Sequence, residues 1–135
     1  IITSRNEWFF LSKVKVQYSL KNKEEIKGEE IGIYSNDTLL FKSNDTTFKV
    51  HLKEPFFLEE KQKEYELIMN FKEQNSTSAD YRFYEFGNIS VPIYTFYTKF
   101  QKNSFSLKYK LELEQEDEIF EFDVMYEVIE WLLIY

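Results

Sequence analysis

Residues 105–128 read FSLKYKLELEQEDEIFEFDVMYEV and alternate apolar with polar side chains in two runs. The first run extends from Phe105 to Leu113 and the second from Phe120 to Val128. Only a β-strand has a two-residue side-chain period, and the polar stretch from Gln115 to Glu118 is typical of a turn. The pattern predicts two antiparallel strands with one wet face and one buried face.

Similar alternating segments, separated by Asn, Asp or Gly turns, continue toward the N-terminus. Pro55 ends one of them, and the next predicted strand begins at Glu64. Gly28 and Gly32 predict a bulge or a sharp bend in the second strand. About eight or nine short strands joined by short turns favour an all-β fold, a single antiparallel up-and-down β-barrel spanning residues 1–135.

Two details of the last hairpin follow from the same pattern. Pairing across the acidic turn places Lys110 opposite Asp123. At the C-terminus, the spacing of Val124, Val128 and Leu132 also fits a helical stripe, so a short helix starting near Ile129 is the alternative to a strand there.

Composition and charge exclude several classes of function. The chain has 17 Lys plus Arg against 24 Asp plus Glu, and a net charge of −7 repels a phosphate backbone, so we expect no nucleic-acid binding. No segment approaches the ~20 apolar residues of a membrane-spanning helix. The absence of Cys removes thiol chemistry and fits a cytoplasmic location. Because the sequence begins with Ile1, a secreted or lipoprotein form with a removed leader stays open.

Part of the chain resembles a known bacterial family. The turn Tyr84-Glu85-Phe86-Gly87, the strand from Ile89 to Phe100 and the run Leu107-Lys108-Tyr109-Lys110-Leu111 are similar to the domain of unknown function typified by YwiB. The similarity extends from Tyr84 to Val128 and becomes faint over Val14 to Phe71. It implies a calycin-like or lipocalin-like β-barrel, and it brings no assigned catalytic residue or cofactor.

No catalytic or metal-binding arrangement is visible in the sequence. His51 is the only histidine, and the acidic turn Glu116-Asp117-Glu118 lacks the glycine and ligand spacing of a calcium loop. No nucleophile stands at a recognisable spacing from a base. We therefore expect a protein that is not an enzyme and that uses no metal or cofactor.

One candidate for binding chemistry is the tripeptide Arg82-Phe83-Tyr84. It has the Arg-x-Tyr form that holds a ligand carboxylate in fatty-acid-binding barrels, where a bidentate guanidinium contact is joined by a phenol hydroxyl. A surface cation stacked on tyrosines is the alternative interpretation. Under the first interpretation, the polar anchors of a small apolar or amphipathic ligand are Arg82, Tyr84, Tyr94 and Tyr109.

The competing hypothesis is a protein interaction module with a filled barrel. Such a module associates through an edge strand or through the apolar tail Trp131-Leu132-Leu133-Ile134-Tyr135, for example as a homodimer.

Overall fold

The computed structural model describes residues 9–134, and every element in this range is a β-strand. The ten strands are β1 (Phe9–Lys21), β2 (Glu25–Ser35), β3 (Thr38–Ser43), β4 (Thr46–His51), β5 (Phe56–Lys61), β6 (Tyr65–Phe71), β7 (Ser76–Phe83), β8 (Gly87–Gln101), β9 (Ser104–Leu111) and β10 (Glu118–Ile134). The described residues contain no helix long and apolar enough to cross a bilayer.

The strands form a closed antiparallel barrel of meander topology. Each strand pairs with the next along the chain, and β10 returns to pair with β1. The predicted all-β antiparallel barrel is thus confirmed, with ten strands where eight or nine are expected from sequence.

The additional strand is β5, which lies between Pro55 and Glu64, where no strand is predicted. Its side chains at two-residue spacing on one face are Phe56, Leu58 and Glu60. The third of these is an acid, so the apolar alternation stops after two residues and the pattern is hidden.

The final hairpin has a different register from the predicted one. Lys110 lies opposite Ile119 rather than Asp123, and Asp123 lies opposite Ser106. The cause is that β9 ends at Leu111, with three residues between it and the predicted turn, while β10 already begins at Glu118, so the connection is centred nearer to the N-terminus than predicted. Charge pairing across the hairpin is retained, because Lys108 Nζ lies 3.8 Å from Glu121 Oε1.

The C-terminus is a strand, and the helical alternative is wrong. β10 continues to Ile134 and pairs with β1 up to Phe9, with a shift in register opposite Lys13 and Val14. The end of β10 supplies hydrogen-bonding partners for the backbone of Phe9–Lys13. A helix from Ile129 onward would remove these partners.

The centre of the barrel is filled. We call inner-facing the side chains that lie on the face of the buried core residues. Phe105, Phe122 and Leu39 are the largest of them that are almost fully buried.

The β1–β2 register shows no bulge at Gly28 or Gly32, where the sequence predicts a bulge or a sharp bend. Gly32 instead allows close packing of neighbouring strands. A Cβ atom on Gly32 would lie 2.6 Å from the carbonyl oxygen of Leu40. The glycine therefore allows a close approach of β3, which is an alternative reason for glycine within a strand.

Candidate functional site

One end of the barrel, where β1 ends and β10 begins, carries three neighbouring cavities. The first has a volume of about 220 Å³ and is lined by Tyr18, Phe48 and Phe122, among others. The second and third measure about 400 and 380 Å³. Leu20 and Ile26 line both of the first two cavities, and Phe120 lines the second and third. The three are adjacent parts of one opening, which we call the mouth.

The rim of the mouth carries exposed apolar side chains beside the polar turn 22–24. Ile26 is inner-facing, since it lies opposite Leu20, yet 59% of its surface is accessible. Ile89 of β8, which lies opposite Tyr81 of β7, is 57% accessible. The exposure of Ile26 follows from the pairing of β2, which joins β3 only over Gly32–Ser35 and leaves Glu25–Ile31 beside β1 alone.

Glu60 brings a carboxyl group into this apolar setting. It is inner-facing, because its neighbours across the strands are Phe48 in β4 and Leu67 in β6, and it lines the first cavity. Burial raises the pKa of Glu60, since the charged form loses hydration. Among residues 9–134, no hydrogen bond or ion pair joins the Glu60 carboxyl to another group.

Three phenols lie within electrostatic reach of Glu60. Burial raises the pKa values of Tyr65, Tyr81 and Tyr109, and the negative charge of Glu60 raises each further. Tyr109 is almost completely buried, and its ring stacks on that of Phe120 with centroids 5.2 Å apart. Glu60 is thus connected electrostatically to the aromatic cluster beneath the mouth.

Two hydrogen bonds between neutral groups contribute to the polar lining, which also contains Asn44 and Thr46. Gln62 Nε2 donates to the hydroxyl of Tyr65 at 2.8 Å. The hydroxyls of Tyr18 and Ser43 share a hydrogen bond of 2.6 Å, in which either oxygen can be the donor. Gln62, Tyr18 and Ser43 all line the first cavity with Glu60.

The charges that face the interior all have one sign. Cross-strand pairing makes Glu30 inner-facing opposite Val16, and it makes Glu118 inner-facing opposite Leu111. With Glu60 they are three acids, and no Lys, Arg or His occupies an inner-facing position in the strands the structure describes.

The four anchors expected from sequence are not brought together. Arg82 is exposed on the outer face, where its Nη1 lies 3.8 Å from Glu66 Oε2, and Tyr84 is exposed in the turn after β7. Tyr94 lies on the outer face with Lys110 Nζ 5.8 Å from its ring centroid. Only Tyr109 is inner-facing. Sequence reasoning missed Glu60 and Gln62, for which the two-residue spacing after Phe56 was the available signal.

The described tail residues form the end of β10 and pair with β1. Trp131 is 68% accessible and Leu132 is also exposed. Leu133 and Ile134 continue β10 opposite Phe10 and Phe9, whereas Tyr135 lies outside the described residues. Pairing of β10 with β9 ends at Met125, so within residues 9–134 the following part of β10 has β1 as its only strand neighbour.

No group of three or more His, Asp or Glu side chains that could hold a metal ion occurs in the part of the chain that the structure describes. The groups available at the mouth are apolar walls, phenol, hydroxyl and amide groups, the carboxyls of Glu24, Glu60 and Glu118, and the ammonium group of Lys23.

Comparisons with known proteins give a fold and no activity. No family model matches the chain, and no curated protein matches it. The solved structure of the ywiB protein from Bacillus subtilis is similar over 91% of this chain and 94% of that one, with a TM-score of 0.55 and 11% sequence identity. The expected likeness to YwiB is confirmed for the fold, while membership of its family and the calycin relationship stay predictions. The chain is therefore a ten-stranded antiparallel β-barrel with a fold similar to that of YwiB.

Proposed function

We propose that this protein is a non-catalytic binding protein for a small apolar or amphipathic ligand, which enters the mouth of the barrel. The observation that carries the proposal is the first cavity, where the apolar side chains of Leu20, Ile26 and Leu58 surround a few polar groups. Binding sites for small molecules have this composition, with apolar walls and a small number of placed polar groups.

The size of the cavity limits the ligand. About 220 Å³ is the volume of roughly seven waters at ~30 Å³ each, below the ~300 Å³ at which typical ligand pockets begin. Phe105 and Phe122 fill the barrel centre, so a ligand cannot pass deeper. A short alkyl chain or a single ring fits these limits.

Native mass spectrometry and calorimetry test the proposal. We expect a small-molecule adduct on the purified protein, or binding of 1-hexanol as a probe. Ile26→Trp, which fills the rim of the mouth, should weaken hexanol binding at least tenfold. The matched control Ile31→Trp changes an exposed isoleucine on the same strand and should bind as wild type does. Absence of both adduct and hexanol binding, or equal binding by the two variants, contradicts the proposal.

A second candidate function is self-association through the end of β10. It is favoured by Trp131, which is exposed beside the backbone edge that follows Met125. An exposed strand edge can accept a strand from another chain, and an aromatic side chain supplies contact area. We expect light scattering to find a dimer that Trp131→Glu dissociates. A monomer at all concentrations tested, or a dimer unaffected by Trp131→Glu, rejects this candidate.

A further inference from the structure

We propose that the ligand of the mouth carries an organic ammonium group, which binds between the Glu60 carboxylate and the aromatic rings beside it. This inference rests on the proposed ligand-binding function and adds the charge and chemical class of the ligand.

The first argument is the sign of the interior charge. Glu30, Glu60 and Glu118 are inner-facing, and no inner-facing base opposes them in the described strands. Lys23, in the turn after β1, lines the second cavity but not the first, which contains Glu60. The net charge of −7 has the same sign. A ligand carboxylate would be repelled at this site, whereas a cation is attracted to it.

The second argument is that Glu60 lacks a partner within the described residues. Glu60 is partly buried, so its carboxylate has lost part of its hydration while no charge or hydrogen-bond donor of the described residues compensates the loss. Lys61, the adjacent base in sequence, points to the outer face, where its Nζ lies 3.3 Å from Glu66 Oε1. A ligand ammonium would supply both the opposite charge and the N–H donors that the protein itself does not provide.

The third argument is the chemistry of the walls. Tyr18, Phe48 and Phe122 line the same cavity as Glu60, and the ring centroids of Tyr18 and Phe48 are 5.9 Å apart. Aromatic faces attract cations through their quadrupole, and aromatic residues recognise alkylammonium groups in this way. Leu20, Ile26 and Leu58 would contact the alkyl part of such a ligand.

The inference also distinguishes Glu60 from the other two acids. Glu118 accepts a hydrogen bond from Asn22 Nδ2 at 3.3 Å. Glu30 lies in the part of β2 that β3 does not cover. Only Glu60 combines a raised pKa with a place in the wall of the first cavity.

The test compares three probes of one chain length by calorimetry at neutral pH: hexylamine, which is protonated there, 1-hexanol and hexanoate. Each probe is titrated into the full-length wild type, Glu60→Gln and Glu59→Gln. Glu59 is the matched control, because it is the adjacent residue of β5 and lies opposite Lys49 and Ile68 on the outer face.

We expect the wild type to bind hexylamine roughly tenfold or more tightly than hexanol, as a charge-assisted contact implies, and hexanoate most weakly. Glu60→Gln should lose the preference for the amine and retain hexanol binding, while Glu59→Gln behaves as wild type. Equal affinity for amine and alcohol, or a preference that survives in Glu60→Gln, overturns the ammonium inference and leaves the proposed function intact. If no probe binds, the inference fails, and the proposed function fails with it when native mass spectrometry also finds no adduct.

Discussion

At the scale of single residues, the position of Glu60 in the barrel changes the pKa of its carboxyl group. Because its pKa is raised in the folded state, the folded protein binds a proton at this site more tightly than the unfolded chain does. Protonation of Glu60 therefore adds to the free energy of unfolding. This addition is complete below the pKa of Glu60 in the unfolded chain and is lost as the pH rises through its pKa in the folded protein. Ionised Glu60 is therefore a destabilising group at neutral pH.

We expect Glu60→Gln to raise the free energy of unfolding at neutral pH, with a gain that vanishes near pH ~3, well below the unfolded pKa, where wild-type Glu60 is protonated in both states. Urea denaturation at the two pH values measures the change. Glu59→Gln serves as the control on the outer face. A gain that is the same at both pH values contradicts this account.

Gly32 is a residue at which packing, rather than backbone flexibility, requires glycine. A methyl group there would lie 2.6 Å from the carbonyl oxygen of Leu40 and 3.0 Å from Cβ of Phe41. Gly32→Ala should destabilise the protein by about 1–3 kcal/mol through overpacking, as measured by urea denaturation. Ile31→Ala, at an exposed neighbouring position, should change stability by less than about 0.5 kcal/mol. A smaller loss for Gly32→Ala than for Ile31→Ala would contradict the packing argument.

At the scale of elements, β10 has two halves with different surroundings. Glu121–Met125 lies between β9 and β1, and Glu118–Phe120 before it pairs with β9 alone, whereas the part from Glu127 to Ile134 pairs with β1 alone among the described strands. Since amide protection follows hydrogen bonding and burial, hydrogen exchange should be slow throughout Glu121–Met125. In the second half we expect alternate amides, those directed away from β1, to exchange fast. Uniform protection to the end of β10 would instead indicate a partner on that edge.

The strands that could be predicted most directly from sequence are those with an uninterrupted run of apolar inner-facing side chains. β9 and the first half of β10 alternate without interruption, and both are strands in the structure. β5 escaped prediction because Glu60 occupies an inner-facing position, so the residue that hides the strand is also the residue that marks the candidate site. The register of the last hairpin was wrong because composition does not locate the first paired residue inside an acidic stretch.

At the scale of the whole molecule, closure of the barrel makes its centre a single packed unit. Phe105 is almost fully buried there, whereas Phe86 is 86% accessible in a turn. Phe105→Ala should lower the free energy of unfolding by about 3–5 kcal/mol, and Phe86→Ala by less than about 0.5 kcal/mol. Urea denaturation followed by circular dichroism measures both changes. Similar values for the two variants would contradict a filled centre.

The candidate site also belongs to this scale. Glu60, Tyr81 and Phe120 come from β5, β7 and β10, and only closure of the sheet brings them to the same end. Arg82 shows the converse, because a local Arg-x-Tyr motif suggested a site whereas the pleat of β7 directs its guanidinium to the outer face.

The sequence by itself determined that the chain forms antiparallel strands, because a two-residue alternation of apolar and polar side chains is a local property that each segment carries alone. It also determined the negative charge and the absence of thiol chemistry. The tertiary structure alone decided which strand ends meet, which acids face inward and where a cavity remains. Those features depend on the registers of ten strands closed into one wall, and such long-range pairing cannot be read from neighbouring residues.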